Sequence, residues 1–195
     1  MKKLIIASAV ITACLAPQAF AQSSNFAGLS AAIGANIAYT VTDDTVSSGT
    51  KSVSDNDTNV ALQLQYSSAL TENFLLGFGA TVNMGDLKSG NFGNNQTKLK
   101  DTYSLYIAPG YAFNSNWLGY AKVAYLNANA QNAKGDSIKY DNGWGYGLGA
   151  QVKLTQNWFG QFEYMHNDFG EKNFSPVEKV KVKNDVVTLS VGYKF

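Results

Sequence analysis

Side chains that could carry out chemistry are sparse in this sequence, and three charged residues stand out among them. Lys122, Lys153 and Glu163 interrupt segments that otherwise alternate small and apolar residues. Two cations near one carboxylate would suit either an ion-selective filter or a structural network in which each charge is neutralised by a neighbour. His166 is the only histidine and is therefore the candidate general base.

Two further segments resemble binding motifs but lack features that those motifs require. The segment Asp55-Asn56-Asp57-Thr58-Asn59 resembles the start of a calcium-binding loop, but Val60 stands where that loop requires glycine and Tyr66 where it requires glutamate. The segment from Gly145 to Ala150 matches the phosphate-binding pattern G-x-G-x-x-A, but no helical pattern follows it. We therefore predict no metal site, no nucleotide site and no cofactor.

The first 21 residues have the organisation of a secretory signal peptide. Lys2 and Lys3 give a positive start, an apolar run follows, and Ala19-Phe20-Ala21 is a small-x-small cleavage site. We predict cleavage after Ala21 and a single domain from residue 22 to residue 195. The alternative is a weak lipoprotein box with Cys14 as the acylated residue, although the usual leucine of that box is missing.

Composition excludes several classes of function. The chain has 15 Lys plus Arg against 14 Asp plus Glu, so no broad basic field points to nucleic acid. It contains no arginine, which is the usual bidentate clamp for phosphate groups. Its single cysteine lies in the predicted signal peptide, so the exported domain must be stabilised by backbone pairing and burial rather than by a disulfide.

A short phrase that occurs three times sets the number of strands. A tight polar turn precedes an aromatic residue at Asn73-Phe74, Asn116-Trp117 and Asn157-Trp158. The spacing is about 42 residues, the length of a strand, a loop, a second strand and a turn. Four such units fit between residues 22 and 195, which predicts eight antiparallel strands.

The strands alternate with period two, and the composition of the two faces decides which one meets lipid. Apolar residues such as Leu29, Ile33 and Ile37 share one face, while the other face is built from Gly, Ala, Ser, Asn and Gln and carries the three charges. Small residues suit the crowded lumen of a narrow barrel. We therefore predict an all-β fold, an eight-stranded antiparallel up-and-down transmembrane β-barrel. Its lumen charges are interpreted as a structural ion-pair network, with an ion filter as the alternative.

Connections of two lengths give this barrel an orientation. Segments at about 42–57, 86–100, 128–142 and 168–183 are long and polar, and long loops outside with short turns in the periplasm are typical of outer-membrane barrels. Phe74, Trp117 and Trp158 follow the short turns and are predicted to form the periplasmic aromatic girdle. Pro109 falls inside a strand, where its missing N–H predicts a local bulge or a lost ladder bond.

The last third of the chain resembles a known family. The segments Gly143-Trp144-Gly145-Tyr146-Gly147-Leu148-Gly149-Ala150 and Phe162-Glu163-Tyr164 look like the final hairpins of OmpA-like, OmpX-like and opacity-type small outer-membrane barrels. The closing strand resembles the terminal signal that the barrel-assembly machinery reads, in which the matching positions are Leu189, Val191, Gly192, Tyr193 and Phe195. The resemblance implies an integral protein of a Gram-negative outer membrane, in contact with membrane lipid and lipopolysaccharide.

The resemblance gives little support to catalysis. Small-barrel lipid A deacylases, which this family resembles in shape, pair a strand histidine with a serine two residues on, and here that position is Asp168. We therefore predict no enzymatic activity and interpret His166 as an interface or loop-edge residue. The predicted function is an envelope barrel with surface loops that take part in adhesion or bind a host or surface ligand. The alternatives are a narrow porin-like channel for ions or small solutes and a lipid-modifying enzyme.

Overall fold

The structure is a computed structural model that describes residues 22–46, 49–85, 87–92, 95–131, 137–175 and 178–195. A 3-10 turn at Ser23–Asn25 precedes nine strand segments, which are β1 (Gly28–Val46), β2 (Gly49–Ala69), β3 (Phe74–Met84), β4 (Leu87–Phe92), β5 (Asn95–Ala112), β6 (Trp117–Gln131), β7 (Ser137–Lys153), β8 (Trp158–Ser175) and β9 (Glu178–Lys194). The predicted cleavage residues Ala19 and Ala21 lie outside the described residues.

The segments form one closed antiparallel sheet of eight strands. The strand β1 pairs with both β2 and β9, and the pairing of β3 with β5 completes the ring. β3 and β4 count as one strand, because both pair with β5 and they are separated near Gly85, where φ is +99°. The predicted eight-stranded antiparallel barrel is confirmed.

The large apolar side chains point outward, as predicted. Leu148 is 67% exposed and Ile37 is 62% exposed, although both lie in the middle of long strands. The exposed apolar band runs from Leu29 to Tyr39 on β1 and from Trp144 on β7 to Leu154, the residue just after that strand. These spans match the roughly 9 to 11 residues that a tilted strand needs to cross the hydrocarbon of a bilayer. No helix among the described residues is both long and apolar enough to cross a membrane.

The repeated phrase ties together one end of the barrel, here called the short-turn end. Its turns lie at residues 70–73, 113–116 and 154–157. The carbonyl of each asparagine accepts a backbone bond from the neighbouring strand, from Ala112 to Asn73 at 2.7 Å, from Lys153 to Asn116 at 2.9 Å and from Lys194 to Asn157 at 2.7 Å. The side-chain amides of Asn73 and Asn157 also donate to the carbonyls of Ala112 and Lys194. All three turns are therefore fastened to the next strand through the backbone, and at Asn73 and Asn157 the side chain adds a second bond.

The opposite end, here called the hairpin end, differs from the prediction. Segments predicted as long loops are mostly paired strand: β1 continues to Val46 and β2 begins at Gly49, and the other three hairpins are extended in the same way. The pairing is supported by side chains, such as Ser52 Oγ donating to Asp43 Oδ1 at 2.6 Å. Polar residues on the outer faces hide the period-two pattern, because the outer face of a hairpin beyond the membrane does not have to be apolar.

Pro109 interrupts the pairing of β5 with β6 without changing the register of the two strands. Its neighbours keep one register with β6, since Ile107 pairs with Val123 and Gly110 with Tyr120, but no pair is formed at residues 108 and 109. On the other side Pro109 stays paired with Leu76. Of the two predicted outcomes, the lost ladder bond is the one observed.

Glycines on the inner face make room for aromatic rings that lie across the wall. A β-carbon added at Gly79 would collide with the Tyr106 ring, and one added at Gly149 would collide with the Tyr120 ring. The small-residue face is therefore half of a packing arrangement, because each ring fills the space that a glycine leaves.

Gly147→Ala should destabilise the barrel by about 1–3 kcal/mol, because the new methyl group would meet the backbone carbonyl of Tyr164 and force β7 and β8 apart. The matched control is Gly160→Ala, where the nearest atoms are side-chain carbons of Val152 and Leu154 at 3.4 and 3.9 Å. Urea midpoints of the folded, unboiled gel band would measure both. Equal midpoints for the two variants would contradict this account of the glycines.

Candidate functional site in the barrel lumen

The centre of the lumen holds a buried ion pair. Lys122 on β6 and Glu163 on β8 are 3% and 5% exposed, and Lys122 Nζ lies 2.9 and 3.0 Å from the two carboxylate oxygens. The two side chains meet over β7, where Gly147 is opposite Lys122 and Gly149 is opposite Glu163. The absence of side chains at these two glycines lets the charges reach each other.

Two tyrosines complete the surroundings of the pair. Tyr120 Oη donates to Glu163 Oε2 at 2.9 Å, and Lys122 Nζ lies 3.9 Å from the centre of the Tyr106 ring. Tyr106 Oη in turn donates to Gln65 Oε1 at 2.9 Å. A buried charge is tolerated when it is paired and its remaining bonding capacity is used, and both charges here meet that condition. Neither tyrosine has a role predicted from sequence, although their place on the small-residue face was the available signal.

Lys153 lies apart from this pair, so only two members of the predicted three-residue network meet. It is opposite Phe159, two alternate positions nearer the short-turn end than the pair of Gly149 with Glu163. At about 3.3 Å per residue, that separation is roughly 13 Å along the strand. Lys153 Nζ instead donates to Asn25 Oδ1 at 2.8 Å. Period-two alternation gave its face correctly but not its height in the lumen.

A polar chamber lies on the hairpin side of the ion pair. Its wall includes the polar residues Asn36, Asn59, Asn83, Asn167 and Thr188 together with the apolar residues Leu126, Met165 and Phe169, and its cavity volume is about 60 Å³. Asn36 donates to the side-chain oxygens of Asn59 and Asn83 at 2.8 and 3.0 Å. Several buried polar atoms of the chamber have no protein partner: Asn59 Nδ2, Thr81 Oγ1, Thr102 Oγ1 and Asn167 Oδ1. Such a polar space suits water or a small hydrogen-bonding solute.

On the other side of the ion pair, Gln151 and Gln161 are buried, and an apolar cluster lies nearer the short-turn end. Phe26 packs there with Leu75, Ala112 and Leu118, and each of the four is almost completely buried. Tyr120 also touches this cluster. The lumen of the described barrel therefore has a chamber on the hairpin side, a charged constriction, a layer with Gln151 and Gln161, and an apolar floor near the short turns.

The predicted girdle residues all lie on the outer surface at the short-turn end. Phe74, Trp117 and Trp158 are each about half exposed. Phe74 packs edge-on against Tyr111, with the ring centres 5.0 Å apart, and Trp158 packs in the same way against Tyr193 at 5.3 Å. The girdle residues Phe74 and Trp158 therefore pack against tyrosines of the neighbouring strands.

The residues of the predicted assembly signal lie on the last strand of the ring. Leu189, Val191, Tyr193 and Phe195 face outward, while Gly192 faces inward beneath the Phe159 ring. Phe195 donates its backbone N–H to the carbonyl of Leu29 at 2.9 Å. The end of β9 therefore lies at the seam where the barrel closes on β1.

His166 sits at the hairpin-end edge of the apolar band, in a cluster that the sequence did not predict. Its Nδ1 lies 2.7 Å from Asp185 Oδ1, and Tyr164 Oη donates to the same oxygen at 2.7 Å. The cluster offers a base and its orienting carboxylate, and the position two residues after His166 is held by Asp168.

Charges alternate along the outer face of the β8–β9 hairpin. Lys179 bonds to Glu171 at 2.8 Å, and Lys181 and Lys183 approach Asp168 at 3.2 and 3.8 Å. Burial by itself would raise the pKa of Asp168, but the N–H of Gly170 and the two lysines lower it overall. Among the described residues, no group of His, Cys, Asp and Glu side chains is arranged to hold a metal ion.

The sequence matches a family of known proteins over almost its whole length. Residues 5–195 fit the family model described as outer membrane protein beta-barrel domain. The chain is similar to the 25 kDa outer-membrane immunogenic protein of Brucella abortus biovar 1, with 31% identity over 78 residues. The protein of that name from Brucella melitensis biotype 1 is 33% identical over 79 residues. Each match covers 38% of this chain and spans only 37% of the relative's length.

Solved structures show the same fold at low sequence identity. The attachment invasion locus protein Ail of Yersinia pestis, in complex with the heparin analogue sucrose octasulfate, has a TM-score of 0.51 and 16% identity, and the match covers 86% of this chain and 99% of Ail. The outer membrane protease OmpT of Escherichia coli has a TM-score of 0.53 and 10% identity, with 86% and 97% covered. At these identities the likeness extends to the fold alone.

Removing one member of the buried pair should cost much more than removing both charges. We expect Lys122→Met or Glu163→Gln alone to destabilise the folded barrel by about 3–5 kcal/mol, because each leaves an uncompensated buried charge. The double variant should regain a large part of that loss. Urea midpoints in detergent micelles would complete the double-mutant cycle, and additive single effects would show that the two residues do not depend on each other.

Proposed function

The chain belongs to the outer membrane protein beta-barrel domain family, and we propose that its role is to hold four long hairpins outside a Gram-negative outer membrane, where they bind an external ligand. The protein is an outer-membrane β-barrel in contact with membrane lipid. The observation that carries the proposal is the asymmetry of the barrel. Strands continue far beyond the apolar band at the hairpin end and stop close to it at the short-turn end.

The extra length is not needed to cross the membrane. The strand β2 has 21 residues and β1 has 19, about twice the roughly 9 to 11 that a spanning strand requires. Backbone pairing already constrains the hairpin strands, and a pre-organised surface loses little conformational entropy on binding. We therefore assign ligand binding to the hairpin end, and we place the short-turn end and its girdle of Phe74, Trp117 and Trp158 in the periplasm.

The chemistry of the ligand is inferred from two observations. Lys179, Lys181 and Lys183 share the outward face of β9 just beyond the apolar band, at the height of lipid headgroups. Ail, which has the same fold, was solved with a polysulfated ligand. We propose that sulfate or phosphate groups compete with Asp168 and Glu171 for these lysines, whether they belong to lipopolysaccharide or to a sulfated polysaccharide of a host surface.

The protein is proposed to have no enzymatic activity. His166 and Asp185 form a hydrogen-bonded pair, but position 168, two residues along the strand from His166, is an aspartate that is already engaged with Gly170, Lys181 and Lys183. The fold is shared with a protease, OmpT, but at 10% identity that likeness carries no activity to this chain.

We also propose the steps that bring the barrel to its membrane. Residues 1–21 act as a signal peptide that is cut after Ala21, and residues 22–195 are the domain that inserts. The outward residues Leu189, Val191, Tyr193 and Phe195 are the part of β9 that the assembly machinery binds. Their exposure and their place at the closing seam support this role.

A narrow channel is the second candidate function, and the polar chamber is the observation that favours it. The chamber ends at the Lys122–Glu163 pair, with an apolar floor beyond it. We expect purified protein in planar bilayers to give no steady conductance, because the pair and the floor close the lumen in series. Steady conductance that changes in Glu163→Gln would contradict the closed barrel and favour the channel.

Shortening the β1–β2 hairpin and replacing two lysines of β9 should together abolish heparin binding while the barrel stays folded. Asp43 and Ser52 are paired, so residues 44–51 can be replaced by Asn-Gly, which forms a two-residue turn. Cells that make the untrimmed protein should adhere to immobilised heparin, and trimming the β1–β2 hairpin together with Lys181→Gln and Lys183→Gln should reduce adhesion to the level of cells without the protein.

The control for this experiment is a folded barrel that differs only in its short-turn end. Gln156→Ala lies in an exposed turn at that end and should leave adhesion unchanged. Boiled and unboiled gel samples would verify that every variant is folded. Adhesion that stays at the untrimmed level after trimming, or that is never above the background of cells without the protein, would overturn the proposal.

A further inference from the structure

The six residues before the first strand close the short-turn end of the barrel. The 3-10 turn at Ser23–Asn25 lies across the opening, and Phe26 enters the lumen, where it is 5% exposed against Leu75 and Leu118. Gly28, at the start of β1, has φ +111°, a conformation that favours glycine and turns the chain away from the strand direction. Residues 22–27 are here called the cap.

Bonds from opposite sides of the opening hold the cap. On one side, Lys153 Nζ donates to Asn25 Oδ1 and Lys194 Nζ donates to the carbonyl of Asn25, both at 2.8 Å. On the other side, the N–H of Ser23 donates to the carbonyl of Glu72 at 2.8 Å, and Asn73 Nδ2 donates to Gln22 Oε1 at 3.0 Å. Lys153 and Lys194 are thus both engaged by one cap residue.

The cap is attached differently from every strand of the ring. The pairing of β1 with β2 begins at Gly28, so the cap makes no ladder with the sheet. It is held by one buried ring and a few side-chain and backbone bonds, all of which can break while the barrel stays intact. Segments held in this way open at a lower free energy than the strands beside them.

We propose that the cap is a hinged closure of the lumen, with Gly28 as the hinge, Phe26 as the anchor and Asn25 as the latch for Lys153 and Lys194. Opening it leaves a mouth lined by these two lysines and by Gln151 and Gln161. Such a mouth admits small anionic or neutral polar solutes as far as the Lys122–Glu163 pair and disfavours cations. This closure acts at the end opposite the hairpins, so it stands whether or not the hairpins bind a ligand.

A cysteine placed behind the cap would report the opening. Gln151 is buried on β7, one step on the short-turn side of Gly149, which is opposite Glu163. In a Cys14→Ser background, Gln151→Cys gives a single thiol, and its rate of reaction with an anionic methanethiosulfonate is measured on folded protein in detergent. Phe26→Ala should raise that rate by at least about tenfold, because losing a buried phenyl ring shifts an opening equilibrium by more than that factor.

Two controls separate opening of the cap from general loosening. Phe26→Leu keeps an apolar anchor and should react at close to the original rate. A thiol at Gln156→Cys, in an exposed turn at the same end, should react equally fast with any residue at position 26. An unchanged rate at Gln151→Cys in Phe26→Ala, or the same acceleration at both thiols, would overturn the proposal.

A second measurement needs no substitution. Amide exchange on the unaltered protein should be at least about tenfold faster for the N–H groups of Ser23 and Phe26 than for the ladder N–H groups from Ala31 to Tyr39, after correction for intrinsic rates. Both cap amides are hydrogen-bonded in the closed form. Equal protection of the cap and the ladder would show that the cap does not open separately, and the proposal would fail even if every variant folded poorly.

Discussion

A closed ring of backbone hydrogen bonds is the constraint on which the rest of this structure depends. Hydrocarbon offers no partner to a backbone N–H or carbonyl group, so a sheet can cross a membrane only if it has no free edge. The seams of β1 with β9 and of β3 with β5 satisfy that condition. The short turns continue the ring of backbone hydrogen bonds, because Asn73, Asn116 and Asn157 bond each turn to the next strand. At Pro109 the ring gives up a ladder pair on one side and keeps its register.

Closing eight strands leaves a lumen so narrow that its contents must fit together. Aromatic rings and long charged side chains can enter only where the facing wall has no side chain, which explains why Gly147 and Gly149 lie beneath the Lys122–Glu163 pair. Burying the pair costs desolvation free energy. That cost is offset by the attraction between the two charges, the bond from Tyr120 and the contact with Tyr106. The same narrowness allows one phenylalanine, Phe26, to complete an apolar floor.

The two ends of the barrel then differ in what they can do. At the hairpin end the strands leave the membrane and their outer faces become wet, so charged pairs such as Lys179 with Glu171 replace the apolar residues of that face. At the short-turn end the strands stop near the edge of the apolar band, and the chain before β1 folds back over the opening. The two ends thus differ in structure: paired hairpins continue beyond one end, and residues 22–27 lie across the other.

The sequence by itself determined the number of strands, which face of each strand points outward and that the barrel lies in a membrane. It could do so because a period of two and a repeated turn are local patterns that can be read along the chain. It placed Lys122, Lys153 and Glu163 on the inner face, but only the tertiary structure decided that Lys122 and Glu163 meet while Lys153 holds Asn25. Height in the lumen depends on the register between strands, which no single strand encodes. The hairpins are paired strand where the sequence predicts loops, because beyond the membrane their outer faces need not be apolar and the alternation is weaker. The cap was invisible in the sequence, since one phenylalanine after a polar segment has no pattern until a closed barrel provides the space that it fills.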